Sequence, residues 1–213
     1  MAIIAVTGRK GGIGKSTITA NLAAEMLAMG RSVAVLDADP QGSLVAWAGL
    51  GEGVLSTLVK AVDAAHAAQF RRAVQSAAQE AERVLIDTPP GFTDPALLAG
   101  LLADLVLLPA GPSSLDIMAV RDAIELAQQA RKERGDGKPI IRLVPSKVVN
   151  TRLGHELEGS LRELGEQVLP PIGQRAAVAE AALTGLTVRE FARTSRAAEE
   201  FETLAKAVER ILK

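Results

Sequence analysis

Five apolar runs recur along the chain, and the segments between them carry turn residues or helical periodicity. Ala2 to Val6, Arg31 to Leu36, Arg83 to Asp87, Asp104 to Pro109 and Ile140 to Val144 read as buried strands, because their apolar residues run on without regular polar alternation. Gln167-Val168-Leu169 adds a shorter sixth. Helical patterns fall from Ser16 to about Met29, where Gly30 stops the first, then over Ser43 to Ala48, Leu115 to Arg134 and Asn150 to Leu164. The alanine-rich stretch Val54 to Glu82 predicts two helices broken near Asp63. Ser113 or Ser114 is placed to cap the helix that starts at Leu115. Strands alternating with helices predict an α/β fold, a mostly parallel twisted sheet flanked by helices on both faces.

The last pattern, Glu199 to Lys213, is amphipathic, with Phe201, Leu204, Ala205, Val208, Ile211 and Leu212 on one face. An anionic membrane would repel Glu199, Glu200, Glu202 and Glu209, so the apolar face is expected to pack on the core.

Composition narrows the classes. A chain of 213 residues with 48% hydrophobic residues is expected to form one domain over 1–213. Aromatics are 2%, so a nucleic-acid surface built on base stacking is not expected. Cysteine is absent, which excludes disulfides and thiolate-held clusters and suits a reducing cytoplasm. Met1-Ala2-Ile3-Ile4 carries no basic leader, and no apolar stretch reaches the ~20 residues of a membrane span. Net charge is −1, so any DNA contact needs a local basic patch. Up to Val120 there are 8 basic and 11 acidic residues, against 16 and 14 afterwards, a mild shift towards a basic C-terminal part.

The chemistry concentrates after the first strand. Lys10-Gly11-Gly12-Ile13-Gly14-Lys15-Ser16-Thr17 lies between a strand and a helix, the setting of a phosphate-binding loop. Glycines let the backbone curl its N–H groups towards an anion, and the positive end of the following helix adds to the field. Lys15 is expected on the outer phosphates and Ser16 on Mg²⁺, a cation that prefers oxygen. Two further strands end in carboxylates: Asp37 and Asp39, two residues apart on one side, and Asp87 before Thr88-Pro89-Pro90-Gly91. The strict G-x-x-x-x-G-K-[ST] pattern would need glycine at position 9, which is Arg9, and a second lysine, Lys10, stands at the mouth of the loop.

That form resembles the deviant Walker A motif of the ParA/MinD family of P-loop ATPases. The resemblance implies ATP and Mg²⁺ as ligands, with Lys10 reaching the nucleotide of a second subunit in a homodimer formed on ATP. It implies that Asp39 orients the attacking water and that Asp37 supports the magnesium shell or the lysine. It places Asp87 at the Walker B position and makes 88–91 a switch segment. After the fifth strand, the aspartate that reads guanine in related GTPases is replaced by Val149, which cannot accept the guanine donors. Adenine is therefore expected, with Pro145, Ser146 and Lys147 lining the base. Ile172 to Ala182 resembles the loop and helix after the family's last strand. Arg175, Arg189, Arg193 and Arg196, with Lys206 and Arg210, are candidates for a face that binds DNA without sequence preference. The resemblance further implies slow hydrolysis stimulated by a ParB-like or adaptor protein, a nucleoid-associated cytoplasmic location, and a role in partition or positioning of a plasmid, chromosome region or other cargo. A membrane-bound regulator of MinD type and a metabolic ligase of the same fold are the alternatives.

Overall fold

The structure, a computed structural model, describes residues 1–91 and 94–213. The chain runs β1 (Ala2–Val6), α1 (Lys15–Ala28), β2 (Val33–Asp37), α2 (Ser43–Ala48), α3 (Leu55–Leu58), β3 (Val59–Ala61), α4 (Ala67–Glu80) and β4 (Arg83–Asp87). It continues through α5 (Asp94–Leu102), β5 (Leu105–Ala110), α6 (Ser114–Arg134), β6 (Ile140–Pro145), α7 (Arg152–Arg162), β7 (Gln167–Val168), α8 (Ala176–Leu183), α9 (Val188–Phe191) and α10 (Arg196–Ile211). Among the described residues the strands form one seven-stranded sheet in the order β3-β2-β4-β1-β5-β6-β7, and every pairing is parallel.

Period-two geometry divides each strand between two cores. Ile4 and Val6 of β1, Leu85 of β4 and Leu105 and Leu107 of β5 face one, with α1, α2 and α10. Ala5, Val84, Ile86, Val106 and Leu108 face the other, with α4, α5 and α6. Both faces are covered, which is why these strands read as continuous apolar runs.

Val54 to Glu82 departs from expectation. In place of two helices it holds the short helix α3, the edge strand β3 paired with β2, and only then α4. Val59-Lys60-Ala61 is too short to carry a period of its own; pairing with the open edge of β2 makes it a strand. The helix at 114–134 starts as expected: the Ser113 side chain accepts the Asp116 backbone N–H, and Asp116 reciprocates in a capping box.

The apolar face of α10 goes into the core, with Phe201, Leu204, Ala205 and Val208 buried. Full burial of a Phe, Leu or Val is worth roughly 1.5–3 kcal/mol. Glu209 on the same helix is also buried and takes a bidentate contact from Arg83 at 2.7 and 2.9 Å, with Arg31 beside it at 3.1 Å. These contacts tie the C-terminal part of α10 to the N-terminal end of β4.

Candidate nucleotide-binding site

The site is built where β1, β2 and β4 end. β4 lies between β2 and β1, with Asp37 in register with Asp87 and Val6 in register with Asp87 on the other side. One strand order therefore puts the glycine loop after β1 beside both carboxylate segments, at the carboxyl ends where open α/β sheets take ligands.

Gly14 is the N-cap of α1 at φ 98°, and no side chain caps the helix there. That left-handed conformation favours glycine, and an added Cβ would lie 2.8 Å from Ser146 Oγ. The first N–H groups of α1 consequently face an uncapped helix start, an environment suited to a phosphate. Lys15 is buried; its Nζ donates to the Lys10 carbonyl at 3.4 Å. Burial lowers its pKa, while Asp87 and Asp39 act in the opposite sense.

Ser16 Oγ donates to Asp87 Oδ2 at 2.6 Å. Asp87 is fully buried, and its Oδ1 has no hydrogen-bond partner among the described residues. Burial pushes its pKa up to about 7; the Ser16 hydrogen bond opposes this and the charge of Asp37 adds to it. A buried carboxylate with an unused oxygen beside a hydroxyl fits a hard cation held partly by protein and partly by phosphate oxygens. Among the described residues no cluster of three or more His, Cys, Asp or Glu could hold a metal ion.

The two acids of the β2 segment differ. Asp37 is buried and accepts N–H groups from Leu44 and Val45 at 3.0 and 3.1 Å on one oxygen and from Asp39 at 3.1 Å on the other. Asp37, expected to support the magnesium shell or the lysine, anchors the start of α2 and fixes the loop that carries Asp39. Asp39 is partly exposed, with one oxygen accepting the Gln41 N–H at 2.9 Å.

A cleft of about 490 Å³ opens beside the loop, lined by Gly14, Thr17 and Ile18, by Ser146 and Lys147, and by the segment from Ile172 to Ala182. Of the three residues expected to line the base, only the last two reach it. Pro145 is buried as the end of β6. Ser146 spends its hydroxyl on the Ile13 carbonyl at 2.9 Å and so braces the phosphate loop. Lys147 is exposed at φ 55°. Gly173 and Gln174 lie in the loop before Arg175, which the family resemblance places near the nucleotide or DNA; the Val148–Gly173 bridge that brings them to the cleft joins distant segments and leaves no local pattern.

Most of the arginines expected on one basic face are engaged by carboxylates of the same chain. Arg175 lines the cleft and is held by Glu200 at 2.6 Å; Arg189 meets the buried Glu25 at 2.7 Å; Arg196 lies 3.4 Å from Glu200; Arg193 is exposed. Lys10 is held within its own chain, its Nζ 2.7 Å from Asp116 Oδ1.

A glycine loop capping a helix after the first strand of a parallel sheet, with a buried lysine, a hydroxyl and a strand-end aspartate converging on it, defines a P-loop nucleotide-binding protein. The family model of the CobQ/CobB/MinD/ParA nucleotide binding domain matches residues 4–188, and the chain belongs to that family of P-loop ATPases. The maintenance of carboxysome distribution protein A of Halothiobacillus neapolitanus is 30% identical over 209 residues, covering 96% of this chain and 95% of that protein. The chromosome-partitioning ATPase Soj of Thermus thermophilus is 31% identical over 239 residues, covering 96% and 94%. The septum site-determining protein MinD of Pyrococcus horikoshii, solved with Mg-ADP, shares the fold with a TM-score of 0.77 at 20% identity, covering 99% of this chain and 97% of that one. Among the described residues no helix is long and apolar enough to cross a membrane.

Proposed function

We propose that the chain is a ParA-type positioning ATPase. It pairs with a second copy on ATP, holds DNA through phosphate contacts while paired, and separates on hydrolysis stimulated by a partner protein. The observation that carries this reading is Lys10. It stands at the mouth of a complete phosphate loop, half exposed, where an amine can serve a triphosphate other than its own.

Each residue has a task. The N-terminus of α1 and Lys15 bind the phosphates, and Ser146 keeps the loop in shape through Ile13. Ser16 and Asp87 would hold Mg²⁺, which when bound offsets charge on the outer phosphates. Asp37 pins the segment from which Asp39 orients the attacking water. Lys147, Gly173 and Gln174 wall the cleft for the base, and Val149 leaves guanine unread. Lys10 of a second copy neutralises charge that ATP offers and ADP does not, so pairing follows the nucleotide.

Three of the five arginine candidates, Arg175, Arg189 and Arg196, face carboxylates in the single chain, so one copy presents a weak basic surface that includes the exposed Arg193 and Arg210. Pairing doubles that surface, and DNA binding then depends on ATP and on salt. The names of the relatives given above, which concern carboxysome distribution and chromosome partition, support cargo positioning in the cytoplasm. The test is sedimentation and DNA retention with ATP and with ADP. Lys10→Ala is expected to remove ATP-dependent dimers and DNA retention while still binding nucleotide; Asp39→Ala is expected to accumulate dimers. A Lys10→Ala chain that pairs and retains DNA like the wild type overturns the reading.

A further inference from the structure

Lys10 is not loose. Its amine lies 2.7 Å from Oδ1 of Asp116, which is 106 positions away on the first turn of α6. The two oxygens of that carboxylate are divided. Oδ2 accepts the Ser113 hydroxyl at 2.6 Å and the Ser113 N–H at 3.2 Å, closing the capping box, which leaves Oδ1 for Lys10. Asp116 is 7% exposed and sits so close to the backbone that a Cβ on Gly111 would come within 2.5 Å of it. The acid is thus fixed by α6 whether or not Lys10 is present, while the lysine side chain is 47% exposed and free to leave on its flexible stem. Leu115 and Met118, on either side of Asp116, are 66% and 65% exposed, so the turn that holds the amine also presents the apolar surface a second copy would cover.

We propose that Asp116 is the positioning residue of Lys10: it keeps the amine in its own subunit and sets the concentration at which two copies pair. This rests on the dimer reading above. For pairing, each Lys10 must exchange Asp116 for the partner's triphosphate. The carboxyl is held below its ordinary pKa: burial opposes ionisation, but the hydrogen bonds from Lys10 and Ser113 outweigh it. The charge that retains Lys10 is therefore present at neutral pH. ADP offers no terminal phosphate to replace it, so the contact holds the chain single in the ADP state.

The test is the dimer dissociation constant by sedimentation with a non-hydrolysable ATP analogue, for wild type, Asp116→Asn, Lys10→Ala and the double variant. Asparagine keeps one oxygen for the Ser113 cap and turns an amide towards Lys10. A half-exposed pair of this kind is worth about five-fold in an equilibrium constant, and two open per dimer, so Asp116→Asn is expected to tighten pairing about 25-fold. Ser113→Ala, which loosens the cap but keeps the carboxylate, is expected to stay within about two-fold of wild type. Lys10→Ala is expected to stay single with or without Asp116→Asn, and dimers restored by adding Asp116→Asn to Lys10→Ala overturn the proposal. Wild-type dimers that are unaffected or weakened by Asp116→Asn overturn the proposal, as does an equal effect of Ser113→Ala. A wild-type chain that binds the analogue yet stays single at every concentration sinks the dimer reading itself.

Discussion

Asp87 yields a sharp pH prediction. Its carboxyl is buried at the end of β4, and its pKa stands at about 7, against 3.8 in an unfolded chain. Between those values the folded state binds the extra proton, so stability falls as pH rises, by about 1.4 kcal/mol per unit at full slope. From pH 5 to pH 7 the slope eases near the folded pKa, and the integrated loss is about 2 kcal/mol. With a urea m-value of about 2 kcal/mol/M, that moves the midpoint by roughly 1 M. The assay is urea unfolding of nucleotide-free, magnesium-free protein at both pH values, for wild type and Asp87→Asn. The amide keeps the shape and cannot ionise, so the variant is expected to lack this loss. The buried Glu25, also raised by burial against the pull of Arg189, contributes equally to both chains and cancels in the difference. Saturating Mg²⁺ and nucleotide is expected to shrink the loss, because the ion takes the ionised form. A variant with the same pH slope as wild type would refute the assignment of the raised pKa to Asp87.

Two more perturbations test other parts of the structure. Glu209→Ala leaves Arg83 buried without its bidentate partner and is expected to cost about 3 kcal/mol in urea unfolding; a loss under about 1 kcal/mol would show that water replaces the carboxylate. Gly14→Ala forces a side chain into a left-handed conformation and against Ser146, with an expected cost of about 1–2 kcal/mol and at least about tenfold weaker nucleotide binding. Gly11→Ala, where an added Cβ has open space, is expected to leave stability nearly unchanged, and equal losses at the two positions would contradict the geometry.

Much of the fold was legible because it is written locally. The buried strands, the glycine loop, the Ser113 cap and the inward face of α10 each rest on residues within a few positions of one another, where periodicity and turn chemistry operate. Lys15, Ser16 and Asp87 could be named from their places after strands, and the structure brings them together. The edge strand β3 was hidden because three residues carry no period and become a strand only through a neighbour. Asp37 was legible as a strand-end carboxylate, but its grip on the Leu44 and Val45 N–H groups depends on the path of the chain into α2, which leaves no pattern in the sequence.

The amino-acid order alone thus determined a P-loop α/β fold and the positions of its glycine loop and strand-end acids. Tertiary structure decided who holds whom: Ser146 on Ile13, Arg175 on Glu200, Lys10 on Asp116. The reason is physical. Parallel strands buried on both faces look alike in sequence, so their order and register cannot be read from the apolar pattern. That order and register set which polar groups, a hundred residues apart, end within 3 Å of each other.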